Sequence, residues 1–157
     1  MIDQYQTLPS LNIVSEIELV YVSQVPASRR FQIRKSLDSW WLLKRSWNRK
    51  RIQLVEQFKV IYLDTTNHVL AIKKMSTGGI TGTVADPRLL LAGALKLKAT
   101  AMIICHNHPS GNLQPSERDK TLTANLKQAS LLMEIKLIDH IILTSEGYMS
   151  FADDGLL

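Results

Sequence analysis

Hydrophobic and polar positions divide the chain into short segments of alternating type. Residues 16–23 (EIELVYVS) alternate apolar with polar and predict a strand, after a weakly patterned polar lead-in over residues 1–15. From Arg29 to about Arg51, the apolar residues Ile33, Leu37, Trp40, Trp41 and Trp47 recur at steps of three and four among basic ones, which predicts an amphipathic helix, continuous or interrupted. Its tryptophans are read as packing contacts rather than as a platform for stacked bases. Residues 57–63 (QFKVIYL) form a β-rich run; the turn signal Asp64, Thr65, Thr66, Asn67 and a second run from His68 to about Met75 make it a hairpin.

The second half alternates strands and helices. Residues 76–83 (STGGITGT) form a glycine-containing loop that lacks both GxGxxG and a GK[ST] ending, so it is a poor phosphate cradle. Asp86 followed by Pro87 signals a helix start, and Leu89, Leu90, Ala94 and Leu97 supply its apolar stripe to about Lys98. A short apolar strand over residues 100–105 (TAMIIC) runs into His106, Asn107, His108 and Pro109, and a turn follows. Pro115 and Ser116 introduce a helix over about residues 117–133, and residues 135–144 and 148–152 read as closing strands around a turn at 145–147. Such alternation without repeats or a long linker predicts an α/β sandwich of sheet and helices.

Composition changes this picture in three ways. At 157 residues and 45% hydrophobic, the chain is sized for one core. No apolar run reaches the roughly 18 residues of a membrane span, and residues 1–4 do not open a secretory leader, so a cytoplasmic protein that does not enter the membrane is expected. Cys105 is the sole cysteine, which excludes an internal disulfide and leaves His, Asp and Glu as metal ligands. The +5 net charge is concentrated in Arg29, Arg30, Arg34, Lys35, Lys44, Arg45, Arg49, Lys50 and Arg51, opposed there only by Asp38. That segment is either a solvated helix face or a surface for nonspecific nucleic-acid contact.

The chemistry concentrates after residue 105. On an extended strand His106 and His108 project to one face, while Cys105 and Asn107 project to the other, so two imidazoles converge. Imidazole suits zinc and related metals, and a catalytic site needs a third protein ligand with one position left open. Asp119 fills that role in the first turn of the next helix, where the helix dipole also favours a carboxylate. Taken alone, Ser116-x-x-Asp119 also reads as a capping box. Cys105 reads as a small buried side chain, and His68 and His140 as structural or exposed rather than as fourth ligands.

The string His106-x-His108, seven residues, Ser116, two residues, Asp119 matches the JAMM signature of the JAB/MPN metalloprotease superfamily without gaps. The wording HNHPSGNLQPSERD, followed by LIDHIIL over residues 137–143, resembles the RadC branch. The likeness runs from about Glu56 to Ala152. It implies a single cytidine-deaminase-like, JAB/MPN-type sandwich with a central mixed β-sheet flanked by helices, formed by residues 51–157. Residues 1–50 would be a lead-in strand and basic amphipathic helix packed on that domain. It further implies zinc, one per chain, on His106, His108 and Asp119, with Glu56 as general acid/base through the bound water and Ser116 polarising the tetrahedral intermediate. The implied activity is hydrolysis of a peptide or isopeptide bond in a peptide or protein substrate.

Residues 1–50 show no glycine-bearing hairpins of the helix-hairpin-helix type that longer RadC chains place upstream. Two other readings compete. The letters HNH suggest a nuclease, but there the motif residues are dispersed over a ββα finger, whereas here they are adjacent in one strand. The alternative is a DNA-associated RadC-like module, linked to repair or mobile elements, with a structural or vestigial metal site. Structural zinc is normally closed by four protein ligands, and the pattern here leaves one position open.

Overall fold

Two strands, β1 (Gln57–Leu63) and β3 (Ala101–Asn107), are buried along their whole length and form the centre of a five-stranded sheet. In this computed structural model, which describes residues 18, 20–78 and 85–157, the remaining elements are α1 (Ser36–Ser46), β2 (Val69–Thr77), α2 (Pro87–Leu97), α3 (Glu117–Leu131), β4 (Lys136–Leu143) and β5 (Tyr148–Ser150). The sheet order is β2-β1-β3-β4-β5. Only β3 and β4 are parallel, joined by the α3 crossover; the other neighbours are antiparallel, so the sheet is mixed as expected.

Strand alternation divides the core into two. Ile61, Leu63, Ile103, Cys105, Ile141 and Leu143 face one side, where they pack with Ile33, Leu43 and Trp47 of the α1 region. Phe58, Val60, Tyr62, Met102 and Ile104 face the other side, against Leu90 and Ala94 of α2 and Leu126 of α3. Helix α2 starts as its sequence predicts: the Asp86 side chain accepts the Arg88 N–H, Pro87 opens the first turn, and Lys98 ends the helix in the left-handed region. The β1–β2 turn is held by Asp64, whose Oδ1 accepts N–H bonds from Thr66 (2.9 Å) and His68 (3.0 Å).

The long helix expected over residues 29–51 is shorter. Residues 31–33 are drawn to the start of β2 instead, with Ile33 N–H donating to Asn67 O (2.9 Å), Val69 N–H donating to Phe31 O (2.8 Å), and Gln32 bridging His68. Asp38 then starts α1 by accepting the N–H groups of Arg34 (2.9 Å) and Lys35 (3.2 Å). After Ser46 the chain becomes extended at Trp47 and turns through residues 48–55. Competing backbone partners thus override the periodicity at the N-terminal end, and local turns replace the helix at the other. The tryptophans pack as expected at two positions: Trp47 is buried and Trp40 stacks on Tyr148 at 5.4 Å, while Trp41 is exposed.

The described part of the strand expected over residues 16–23 is irregular, and the rest of it lies outside the described residues, as do residues 1–15 and most of the glycine loop at 76–83. Strand β5 stops at Ser150, where Phe151 N–H donates to His140 O (3.0 Å) and the chain turns. No helix among the described residues is long and apolar enough to cross a membrane.

Gly93 lets α2 approach β1. A Cβ there would overlap the Tyr62 hydroxyl and lie 2.8 Å from the ring carbon bearing it. That hydroxyl donates to Leu90 O at 2.9 Å inside the core, and burial pushes its pKa up to about 12. Gly93→Ala should gain up to about 1 kcal/mol of helix propensity and lose more, about 1–3 kcal/mol, to overpacking. Thermal denaturation is expected to show a lower Tm for the variant; an unchanged or higher Tm would contradict this packing.

Candidate metal centre

The C-terminal end of β3 carries His106 and Asn107, both buried, and the backbone continues extended to His108, whose N–H donates to Leu143 O at 2.9 Å. His106 lies on the α3 side of the sheet, its ring parallel to Phe58 (2° between planes, centroids 6.1 Å apart). The side chain of His106 is 1% exposed, whereas those of Asp119 (14%) and His108 (17%) are partly open. The chain turns after His108 by donating Gly111 N–H to His108 O (3.1 Å), with Gly111 at φ +82°, a conformation glycine adopts without strain. Helix α3 then returns its N-terminus to the strand end.

The capping expected of Ser116 and Asp119 occurs, and it sets Asp119 beside the histidines. Ser116 is the N-cap and Asp119 the third helical residue of a capping box: Ser116 Oγ accepts Asp119 N–H (3.2 Å), and Asp119 Oδ2 accepts Ser116 N–H (2.8 Å) and the Ser116 hydroxyl (2.6 Å). Asp119 Oδ1 lies 3.3 Å from His106 Nε2, and Oδ2 lies 3.9 Å from His108 Nε2. The two Nε2 atoms are 2.9 Å apart. One donor atom from each of His106, His108 and Asp119 can be chosen so that all lie within 4.8 Å of one another. Capping therefore fixes the carboxylate that faces the histidines.

The His108 ring is oriented by Asn112, whose carbonyl lies 2.7 Å from Nδ1. A carbonyl only accepts, so Nδ1 carries the hydrogen and Nε2 of the neutral ring presents a lone pair. For His106, burial is the main cause of a pKa pushed down to about 4; Asp119 raises it and His108 lowers it further. The imidazole is thus neutral near pH 7, the form that ligates metals.

Glu56 precedes β1, and its carbonyl accepts Gly78 N–H at 2.8 Å. In the β1–β3 pairing Phe58 lies opposite His106; continuing that register two residues places Glu56 opposite His108 on the same face. The loop leading to Glu56 is tied down by Asn107, on the other face of β3. Asn107 Nδ2 donates to Ile52 O (2.6 Å) and Val55 O (3.0 Å), and Oδ1 accepts Gln57 N–H (2.7 Å). The period of the strand turns Asn107 away from the histidines, as expected, but gives no sign of these bonds. Cys105 faces the α1 side, where burial pushes its thiol pKa up and keeps it protonated.

His140 was expected to be structural or exposed; it is fully buried, with Nε2 2.9 Å from His106 Nδ1 and Nδ1 2.6 Å from Thr123 Oγ1. Thr123 is four residues after Asp119 on the same helix face, a spacing that could have flagged it. His68 sits with Thr66 at the β1–β2 turn, away from these groups.

A mixed sheet whose central strand delivers His-x-His to an aspartate in the first turn of the crossover helix defines a JAB-type domain. The family model described as "RadC-like JAB domain" matches residues 34–156, and the chain belongs to that family. Among curated proteins it is 44% identical over 101 residues to a "UPF0758 protein" of Flavobacterium johnsoniae, covering 64% of this chain and 44% of that one. It is 42% identical over 115 residues to "UPF0758 protein YkfG" of Escherichia coli, covering 72% and 73% respectively. A "UPF0758 protein" of Porphyromonas gingivalis is 41% identical over 103 residues, 65% of this chain and 45% of that protein. The chain thus spans under half the length of the Flavobacterium and Porphyromonas relatives.

Asn107→Ala would leave two carbonyls and one N–H without their buried partner. Denaturant unfolding is expected to show a loss of at least about 2 kcal/mol, with faster amide exchange at Gln57. Full stability with unchanged exchange would show that Asn107 does not hold the loop.

Proposed function

We propose that this domain is a zinc-dependent hydrolase that cleaves an amide or isopeptide bond in a peptide or protein. The observation that carries this reading is the convergence of His106 Nε2, His108 Nε2 and Asp119 Oδ1, with the two nitrogens 2.9 Å apart and the oxygen 3.3 Å from His106. With the His108 hydrogen held on Nδ1, the close approach of these atoms calls for a proton or a metal ion between them. Two imidazoles and one carboxylate suit zinc, and three protein ligands leave a fourth position open, as catalytic sites require.

Held by His106, His108 and Asp119, a zinc ion would supply a Lewis acid for the scissile carbonyl and would acidify a water toward a pKa of about 7. Glu56, reaching the same face from the start of β1, takes the water's proton on a carboxylate oxygen and returns it to the leaving nitrogen. Ser116 spends its hydroxyl hydrogen on Asp119 Oδ2 in the resting arrangement. Stabilising an oxyanion requires that hydrogen to swing from Asp119 to the substrate oxygen, while Ser116 N–H keeps Asp119 oriented.

The test is a panel of fluorogenic peptides and isopeptides offered to the zinc-loaded chain and to Glu56→Gln. The variant is expected to keep its zinc and lose about 100-fold or more in kcat, the scale of general-base catalysis. Equal turnover by parent and variant would remove Glu56 from the mechanism, and no turnover of any substrate in the panel would count against hydrolysis of these bonds.

A second reading is a DNA-associated module. It is favoured by the exposure of Arg45, Arg49, Lys50 and Arg51 at the end of α1 and in the turn that leads to Glu56. Binding to unrelated duplex DNA is then expected to fall steeply with salt and to vanish when Arg45, Arg49 and Arg51 are changed to Glu. Salt-insensitive or absent binding would exclude a phosphate-contacting surface.

A further inference from the structure

Metal-ligating histidines usually donate their second N–H to a carboxylate, a backbone carbonyl or water, which fixes the tautomer. His108 follows that rule through Asn112 O. His106 does not: its Nδ1 meets the Nε2 of another imidazole, His140, at 2.9 Å. Two neutral imidazoles can share one hydrogen in either direction, and the two directions have opposite consequences. If His106 Nδ1 donates, its Nε2 offers a lone pair to the metal. If His140 Nε2 donates, His106 carries its hydrogen on Nε2, and the ligand position is blocked.

The bonds around His140 decide the direction. Thr123 Oγ1 lies 2.6 Å from Asp119 O and 2.6 Å from His140 Nδ1. A hydroxyl has one hydrogen and Asp119 O can only accept, so Thr123 donates to that carbonyl and accepts from His140 Nδ1–H. The ring of His140 is fully buried, lies against Phe151 (centroids 4.6 Å) and Phe58 (6.1 Å), and among the described residues its two nitrogens are bonded to Thr123 and His106. Among the described residues no carboxylate is bonded to either ring nitrogen, so the buried ring carries a single hydrogen, the one that Thr123 accepts from Nδ1. Its Nε2 must then accept from His106 Nδ1–H.

We infer that Thr123 and His140 are positioning residues that fix His106 as the Nδ1–H tautomer, so that the free Nε2 faces His108 and Asp119. The chain Asp119 O, Thr123, His140, His106 Nδ1 begins at the backbone of the same residue whose carboxylate closes the ligand set. The lone pair of one ligand is therefore set by the helix turn that carries another. This inference rests on the metal-centre reading for its purpose, but the tautomer itself is a property of the metal-free chain.

Long-range proton–nitrogen NMR of the metal-free, uniformly ¹⁵N-labelled chain at neutral pH reads it directly. His106 and His140 are both expected to carry a hydrogen on Nδ1, with any proton held between the two Nε2 atoms of the metal-free site being an additional one; a His106 ring with no hydrogen on Nδ1 would overturn the proposal. Thr123→Val removes the hydroxyl at nearly constant shape, so His106 is expected to become a tautomer mixture and zinc affinity to fall roughly 10–100-fold, the cost of losing such an outer partner. Thr123→Ser should restore both, which a purely steric role would not explain. An unchanged His106 tautomer and zinc affinity within twofold of the parent in Thr123→Val would also overturn it. If the parent takes up no zinc, the metal-centre reading fails, and the His106 signals still decide whether Thr123 and His140 order its hydrogen.

Discussion

Strand β3 is closed to solvent on both faces to its last residue, yet it ends in two polar side chains, His106 and Asn107. A buried polar group must be hydrogen-bonded or it costs about 1–3 kcal/mol. Strand alternation sends the two in opposite directions, and each gathers a different part of the chain. Asn107 binds the residue 52–57 segment that leads into β1 and carries Glu56. His106 gathers His108, Asp119 and His140, and through them the turn after β3, the N-terminus of α3 and the middle of β4. The site is the set of partners that two consecutive buried residues demand.

Most groups at this candidate metal centre also hold the fold together. The Asp119 carboxylate completes the capping box of α3 with one oxygen and faces His106 with the other. The Asn112 carbonyl belongs to the turn that lets α3 return and also sets the hydrogen of His108. Asp139 supports β4 from the opposite face: its carboxylate accepts the Ser150 hydroxyl at 2.7 Å and the N–H groups of His140 (2.7 Å) and Ala152 (3.1 Å), which anchors the strand beside the buried His140 ring. Burial still raises the pKa of Asp139, against the pull of these bonds.

What could be read in the sequence was what local chemistry determines. The β1–β2 hairpin, α2 with its Asp86 and Pro87 start, and the convergence of His106, His108 and Asp119 follow from turn residues, capping and the period of a strand. The extent of α1 did not, because Phe31 and Ile33, at the start of the expected helix, take backbone partners from Val69 and Asn67, some thirty-five residues away in sequence, and periodicity contains no trace of that competition. The parts played by Asn107, Thr123 and His140 were hidden for the same reason. An asparagine between two histidines, a threonine in a helix and a histidine in an apolar strand become legible only when tertiary folding brings their partners near. The capping box of Ser116 and Asp119 was visible in the sequence, and the structure forms it with the Asp119 carboxylate turned toward His106.

The account stands or falls on the metal. Elemental analysis of the purified chain, equilibrated with zinc at neutral pH and then freed of excess, should be set beside a His106→Ala, His108→Ala double variant shown to be folded by circular dichroism. The account predicts about one zinc per parent chain and almost none in the variant, as three protein ligands at a single site require. A parent chain that retains no zinc, or a variant that retains as much, would contradict it.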